Sequence, residues 1–175
     1  GREVARLMRF IHQHEFKFET PRYNIAPTQK VAAARASAEG DNELTWLRWG
    51  LIPSWAKDTK IGQRMINARS ETVFEKPSFR TPIKKQRCLI PADGFYEWRR
   101  EGGIKQPYWI HLPDREPFAF GGLWERWTKG DAPIESCTIL TTAANEVMQP
   151  LHDRMPVIIA PEDYDRWLEP QPQTQ

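Results

Sequence analysis

Short runs of alternating or continuous apolar residues dominate the chain, and most are too short to form helices. They predict strands at residues 29–36, 43–51, 87–91, 94–99, 107–112, 117–124, 135–142 and 155–159. Turn-forming stretches such as 39–42 and 101–103 separate several of them at hairpin spacing. No βαβ alternation, internal repeat or domain linker is visible. We therefore expect a single α+β domain over residues 1–175, with a mostly antiparallel, curved or barrel-like sheet and a few short helices packed around it.

A helical pattern occurs in only a few segments. Apolar residues at i, i+3, i+4 and i+7 spacing predict a helix over residues 3–14. Residues 70–79 resemble a short helix with Ser70 as its N-cap, and residues 144–151 one or two helical turns. Pro161, followed by two acidic residues, predicts the start of a last helix with its apolar side chains on one face. The polar tail 170–175 is expected to fray.

Composition narrows the class of protein without naming a function. Apolar residues make up 39% and charged residues 27%, as in soluble globular proteins, and the net charge is only +2. Eight Trp exceed what core packing needs, so we expect some at a binding surface. The chain contains no apolar run of the roughly 20 residues that a membrane span requires. No signal peptide is visible, and we expect a cytoplasmic monomer.

Cofactor and metal motifs are missing from the sequence. It contains neither GxxxxGK[ST] nor GxGxxG, so a nucleotide phosphate site is not predicted. Four scattered His and two Cys lack the spacing of metal ligands. Cys88 and Cys137 lie in apolar, strand-like runs and are interpreted as buried small hydrophobes. We therefore expect neither a cofactor nor a metal.

Three polar residues interrupt otherwise apolar or aromatic surroundings in segments far apart in the chain. They are Asn67, Glu97 and His152. Burying an amide, a carboxylate or an imidazole costs free energy unless the group is paired. If the fold brings the three together, they are the polar groups of an active site. Taken singly, each has a plainer interpretation: a solvent-exposed strand carboxylate, a structural imidazole, and an amide bonded to nearby backbone.

Five ordered segments resemble one protein family. They are Arg22-Tyr-Asn-Ile-Ala-Pro-Thr28, Arg48-Trp-Gly-Leu-Ile-Pro-Ser-Trp55, Ile66-Asn-Ala-Arg-Ser-Glu-Thr72, Arg87-Cys-Leu-Ile-Pro-Ala-Asp-Gly-Phe-Tyr-Glu-Trp98 and Leu151-His-Asp-Arg-Met-Pro156. On these motifs the chain resembles the SRAP family, the SOS-response-associated peptidases, also described as abasic-site-processing proteins. The resemblance runs from about residue 20 to residue 168.

The resemblance implies a covalent reaction with damaged single-stranded DNA. In this family a cysteine exposed by removal of the initiator Met reacts with the ring-opened aldehyde of an abasic site. Its α-amine forms a Schiff base, and its thiol then closes a thiazolidine ring. Peptidase removal of the protein's own initiator Met and abasic-site lyase activity are also implied. The family pattern begins Met-Cys-Gly-Arg-Phe, whereas this chain begins Gly1-Arg2-Glu3-Val4, so we expect that a short N-terminal segment carrying the cysteine is missing.

Site roles follow from combining the resemblance with the chemistry of the side chains. Glu97 is suited to moving protons during imine formation, His152 to protonating the sugar ring oxygen, and Asn67 to positioning the reactants. The candidate DNA-binding residues are Arg69 and Arg154 on phosphates, Trp55 as a stacking or wedging ring, and Asn24 and Pro27 in a loop near the site.

Two other functions stay open on the sequence. A non-catalytic single-stranded-DNA-binding module is favoured if the natural N-terminus lacks cysteine. A thiol hydrolase would use Cys88 with His152, and it requires Cys88 to be exposed to solvent. Association with the nucleoid is expected when the protein is bound to DNA.

Overall fold

The protein is a small, closed β-barrel with added strands, a separate hairpin and two short helices. The structure, a computed structural model, describes residues 22–37, 40 and 42–169. The strands in this part are β1 Lys30–Ala36, β2 Asn42–Trp49, β3 Asn67–Arg69, β4 Arg87–Ala92, β5 Phe95–Glu101, β6 Ile104–Ile110, β7 Phe118–Trp127, β8 Ile134–Ala143, β9 Arg154–Pro156 and β10 Ile158–Ile159. The helices are α1 Pro82–Lys85 and α2 Tyr164–Leu168, with 3₁₀ turns at Lys60–Arg64, Ser70–Thr72 and Pro161–Asp163.

Five strands close the barrel in the order β7–β4–β1–β2–β8, with β8 pairing back to β7. All these pairings are antiparallel except β2–β8, which is parallel. The strands β5 and β6 form a separate antiparallel hairpin. This arrangement confirms the predicted α+β class with a mostly antiparallel, barrel-like sheet. None of the described helices is long and apolar enough to cross a membrane.

Alternating residues of the barrel strands fill its interior, as the period of two in a β-strand requires. The interior cluster consists of Val31, Ala33, Leu47, Cys88, Ile90, Phe118, Phe120, Cys137 and Ile139. Both cysteines are fully buried, which confirms their interpretation as small hydrophobes. Burial raises the pKa of the Cys88 thiol to about 12. A buried and protonated thiol is no nucleophile, so the structure excludes the thiol hydrolase that would use Cys88.

The barrel seam opens where β7 and β8 separate. Their pairing ends at Gly122 and Ile139, and the segment 154–159 enters the gap between them. There β9 pairs with the end of β8, and β10 pairs with the start of β7. Val157 lies at the fork, accepting from Gly121 N–H and donating to the Leu140 carbonyl. The strand predicted over 155–159 is therefore two short strands that change partner at Val157.

The helix predictions had mixed outcomes. The helix predicted over 70–79 is wrong: residues 70–72 form a 3₁₀ turn, and a series of turns follows. Pro77 lacks an N–H and disfavours helical backbone in the residue before it, which breaks the pattern. Ser70 is not an N-cap, since it lies inside the 3₁₀ turn. The helix start at Pro161 is confirmed, whereas residues 3–14 and 170–175 lie outside the described part of the chain.

Arg87 joins the ends of the two α-helices beside the barrel. Its guanidinium donates to the Ile83 and Lys84 carbonyls of α1 and to the Trp167 and Glu169 carbonyls at the end of α2. The side chain is buried at 4% exposure. Carbonyls at a helix C-terminus carry partial negative charge, so two such ends can hold one buried cation. Arg87 is consequently a structural residue and not part of a solvated surface.

Candidate functional site

The second half of β8 carries the residues that the sequence singled out on β3. Asn67 and Arg69 are the register partners of Ile139 and Thr141, and Ala68 between them is buried. Because paired residues share a sheet face, Asn67 and Arg69 lie on the face that continues the barrel interior. Both side chains are exposed. Among the described residues, neither side chain makes a hydrogen bond, so both are available to a ligand.

Arg154 extends from β9 onto the same end of β8. Its guanidinium donates to both carboxylate oxygens of Glu71, at 2.6 Å from Nη1 and 2.9 Å from Nη2. Nη2 also donates to the Thr141 carbonyl at 2.8 Å. The hydrogen bond from Arg154 lowers the pKa of Glu71 to about 2, with Arg69 adding a smaller attraction. The same hydrogen bond raises the pKa of Arg154.

The Arg154 cluster, comprising Arg69, Glu71, Thr141 and Arg154, contains two residues that the sequence reasoning missed. Glu71 stands within the family motif at residues 66–72, directly after Arg69 and Ser70, so its place in that motif was an available signal. Thr141 lies in an ordinary apolar strand, and only the register of β8 with β3 brings it here. The net charge of the cluster is +1, from two guanidinium groups and one carboxylate.

His152 lies directly before β9, with its side chain 47% exposed. Its Nδ1 accepts the backbone N–H of Arg154 at 2.9 Å. A ring nitrogen that accepts a hydrogen bond carries no proton, so the neutral ring has its hydrogen on Nε2. The Asp153 carboxylate lies 3.1 Å from the same Nδ1 and would accept from it in the charged ring. The arrangement therefore presents Nε2–H as a donor.

Glu97 belongs to the β5–β6 hairpin, which forms a sheet separate from the barrel. It shares a hairpin face with Phe95, whose ring meets Phe120 edge-on at 5.8 Å between centroids. This contact packs the hairpin against the barrel interior. The carboxylate is half-buried opposite Tyr108, and it forms no hydrogen bond or ion pair within the described part of the chain. No contact of this kind joins Glu97 to Asn67 or His152 there.

The loop at residues 22–29 lies beside the end of β2, where it exchanges backbone hydrogen bonds with Trp49. Ile25 packs against the interior cluster, while Asn24 and Pro27 on either side are exposed. Thr28 has a φ of 76°, a strained value for a β-branched residue, and its N–H donates to the Trp49 carbonyl at 2.7 Å. Backbone strain of this kind clusters at functional sites. The loop prediction for Asn24 and Pro27 stays a prediction.

Trp55 occupies a different position from the Arg154 cluster. The residue is 51% exposed at a turn. Two hydrogen bonds hold this turn: Trp127 donates to the Ala56 carbonyl, and Lys129 donates to the Trp55 carbonyl. Trp127 pairs with Ile134 at the start of β8, five residues before Ile139. That interval is about 17 Å of extended strand. Trp55 is an anchored, exposed ring, and its proposed stacking role stays a prediction.

The structure thus places four of the predicted site residues along the second half of β8 and just beyond it: Asn67, Arg69, His152 and Arg154. Glu97 and the 22–29 loop flank the interior cluster from other elements, and Trp55 is anchored near the start of β8. Over the described residues, no group of three or more His, Cys, Asp or Glu side chains could hold a metal ion. The end of β8 offers a cation, an amide and an imidazole donor together, which suits an anionic, hydroxyl-rich substrate.

Comparison with known sequences finds one family over nearly the whole chain. The family described as SOS response associated peptidase (SRAP) matches residues 2–175. Abasic site processing protein YoqW of Bacillus subtilis is 51% identical over 152 residues, covering 86% of this chain and 67% of that protein. Abasic site processing protein HMCES of Gallus gallus is 33% identical over 181 residues, covering 85% and 54%. The chain thus spans about two thirds of the bacterial relative and about half of the avian one.

Solved structures share the fold. A protein from Bacteroides thetaiotaomicron superimposes with a TM-score of 0.76 at 37% identity, covering 82% of this chain and 64% of its own. A protein from Bordetella bronchiseptica gives a TM-score of 0.77 at 28% identity, covering 93% and 84%.

Proposed function

Because the chain belongs to the SRAP family, the SOS response associated peptidases, we propose that it processes abasic sites in single-stranded DNA. The product is a covalent crosslink between the protein and the ring-opened sugar. The nucleophile is an N-terminal cysteine that precedes the family motifs and is not among residues 1–175, where position 1 is Gly. The protein acts in the cytoplasm as a monomer and associates with the nucleoid when bound to DNA.

One observation carries the proposal: Asn67, Arg69, His152 and Arg154 lie along the end of β8, brought there from two segments of the chain. Arg69 offers an exposed cation to a phosphate without sequence preference, as an abasic site requires. Asn67, two residues earlier on the same face, offers amide groups to a sugar hydroxyl or an amine. An abasic site has no base to read, so contacts to phosphate and sugar must supply the recognition.

The reaction balances without an oxidant or cofactor. The α-amine adds to the C1′ aldehyde to give a carbinolamine, and loss of one water molecule gives the imine. The thiol then adds to the imine carbon, its proton passes to nitrogen, and a thiazolidine ring results. The exposed side chain of His152 supports its role as the acid during ring opening: the imidazolium gives its Nε2 proton to the sugar ring oxygen, and the ring regains a proton from solvent. Glu97 moves protons between the carbinolamine and solvent. Removal of the initiator Met, which exposes the amine, and abasic-site lyase activity are part of the same proposal.

The test uses the complete gene product and single-stranded DNA with one abasic site. Denaturing gels and intact mass are expected to show an adduct lighter by one water than the summed masses. Replacing the N-terminal cysteine by alanine is expected to abolish the thiazolidine. Glu97→Gln is expected to slow adduct formation about 10²-fold or more, as loss of an acid–base group does. An unchanged rate would remove Glu97 from the mechanism.

The chain of residues 1–175 is the matched control, because Gly1 has an amine and no thiol. It can form at most a Schiff base, which borohydride would trap and which would otherwise reverse. If the complete product also retains DNA without any covalent adduct, the protein is a single-stranded-DNA-binding module and the proposed reaction is wrong.

A further inference from the structure

Protein partners occupy most of the N–H groups of the Arg154 guanidinium. Of its five N–H groups, one on Nη1 and both on Nη2 face Glu71 and Thr141. The Nε is buried and has no hydrogen-bond partner among the described residues. A two-pronged grip on a phosphate would therefore have to displace Glu71. This geometry suits a side chain that fixes the local structure better than one that binds a DNA phosphate.

The backbone of Arg154 connects this clamp to His152. Its N–H donates to the imidazole Nδ1, which fixes the ring tautomer. Arg154 is also the first residue of β9, and its only ladder partner is Ala143, the last residue of β8. The adjacent Asp153 carbonyl accepts from Ala144, and the His152 N–H donates to the Met148 carbonyl. The side-chain clamp adds a third anchor beside these two backbone hydrogen bonds, and it acts on the residue whose N–H contacts the imidazole.

We propose that Glu71 is a positioning residue: by clamping Arg154 against Thr141 it holds the Arg154 N–H on Nδ1 of His152 and so keeps the imidazole as an Nε2–H donor. The expected effect on catalysis rests on the function proposed above. The predicted tautomer of His152 is independent of that function. Ionisation of Glu71 persists throughout the neutral range, because its pKa is about 2. The clamp is therefore present whenever the imidazole is neutral.

Long-range ¹H–¹⁵N spectra of the imidazole rings test the tautomer directly, with His152 assigned by its loss in His152→Gln. Wherever the ring is neutral, the wild-type protein is expected to show the Nε2–H form. Glu71→Gln is expected to give a mixture of the two neutral tautomers, and Glu71→Asp to retain mainly the wild-type form. Glu75→Gln is the matched control, because it removes an exposed charge from the same segment. A wild-type His152 spectrum in Glu71→Gln would overturn the proposal.

Adduct formation gives the second measurement. At saturating abasic DNA, Glu71→Gln is expected to react between tenfold and about a hundredfold more slowly than Glu75→Gln, the range for a slightly displaced reacting group. Affinity for undamaged single strands is expected to be the same in both variants. If Glu71 instead competes with a phosphate for Arg154, Glu71→Gln will bind more tightly than Glu75→Gln and react as fast as it, which refutes positioning. Should wild type form no adduct, the proposed function fails, and the spectra still decide the tautomer.

Discussion

Each end of the barrel holds an arginine between acceptors, and the two arginines differ in what surrounds them. At one end, Arg35 donates from Nε to Glu43 at 2.6 Å and from Nη2 to Glu135 at 3.0 Å. Its guanidinium carbon lies 4.1 Å from the Trp124 ring centroid. At the other end, Arg154 is held by the single carboxylate of Glu71, which is itself 49% exposed. The first arginine closes the barrel, and the second remains beside solvent.

Electrostatics separate the two arginines further. Burial is the largest influence on Arg35 and lowers its pKa, but hydrogen bonds to Glu135 and Glu43 outweigh it and raise the pKa overall. Arg154 has its pKa raised chiefly by the hydrogen bond to Glu71, which outweighs the lowering by desolvation. The same kind of ion pair therefore stabilises the fold where it fills a barrel end, whereas at the other end it can take the positioning role proposed above. Exposed pairs contribute little to stability, whereas breaking a buried pair is costly.

The largest effect is expected from removing the buried arginine. Arg35→Ala leaves Glu43 and Glu135 without their cation and Trp124 without its stacked partner. The free energy of unfolding is expected to fall by about 2–3 kcal/mol, below the value for fully buried pairs because both carboxylates are partly hydrated. Urea denaturation measures the loss.

Arg166→Ala is the control for Arg35→Ala, since Arg166 is exposed on α2. We expect it to change stability by no more than about 0.5 kcal/mol. Thiol labelling adds a local measurement, because Cys88 is the register partner of Arg35. Arg35→Ala is expected to speed labelling of the chain's two cysteines under native conditions. If the two variants were equally stable, Arg35 would not stabilise its end of the barrel, and the contrast with Arg154 would be wrong.

An intermediate effect is expected on DNA binding. Arg69→Ala removes the exposed, unclamped cation of the Arg154 cluster, so affinity for single strands falls and the slope of log K against log salt becomes shallower by about 0.7. Arg154→Ala is expected to change the slope less, because Glu71 and Thr141 occupy the N–H groups with which this guanidinium would grip a phosphate. Fluorescence anisotropy across a salt series measures both. Equal slope changes would mean that Arg154 leaves Glu71 to bind phosphate.

The smallest effect is expected in the pH dependence of stability at the Arg154 end. The pKa of Glu71 is about 2 in the folded protein, below its ordinary value of 4.5. A depressed carboxyl pKa stabilises the fold fully above the unfolded-state value, and this contribution is lost as pH falls through the folded-state value. The stability difference between wild type and Glu71→Gln should be constant above pH 4.5 and shrink toward pH 2. A difference that persists unchanged at pH 2 would show that it does not come from the ionised pair.

The strands could be predicted from sequence because their signal is local. Alternating apolar residues and hairpin turns gave β1, β2, β4, β5, β7 and β8 to within a few residues of their ends. Barrel closure has no local signal, since the parallel pairing of β2 with β8 joins residues such as Trp49 and Cys137. The prediction of a helix over 70–79 was wrong because it relied on the spacing of apolar residues and gave too little weight to Pro77.

The site was only partly predictable for the same reason. Polar residues in apolar surroundings identified Asn67 and His152, and the structure places both at the end of β8. The Glu71–Arg154 clamp depends on two residues 83 positions apart, which no spacing in the sequence connects. Glu97 was grouped with them by chemistry; it lies on the separate hairpin, which packs on the barrel interior through Phe95, and its role stays a prediction. The sequence therefore identifies the polar residues of a site more readily than the contacts between them.

The closed barrel also imposes an order on folding during synthesis. Arg35 can meet Glu43 as soon as the β1–β2 hairpin has emerged, but Glu135 is made 100 residues after Arg35. Until β8 is available, β2 and β7 have no closing partner, and β3 and β9 have no strand to pair with. Contacts of such long range form slowly. We expect the nascent chain to acquire its DNA-facing end last, so that an incomplete protein has no site with which to engage a lesion.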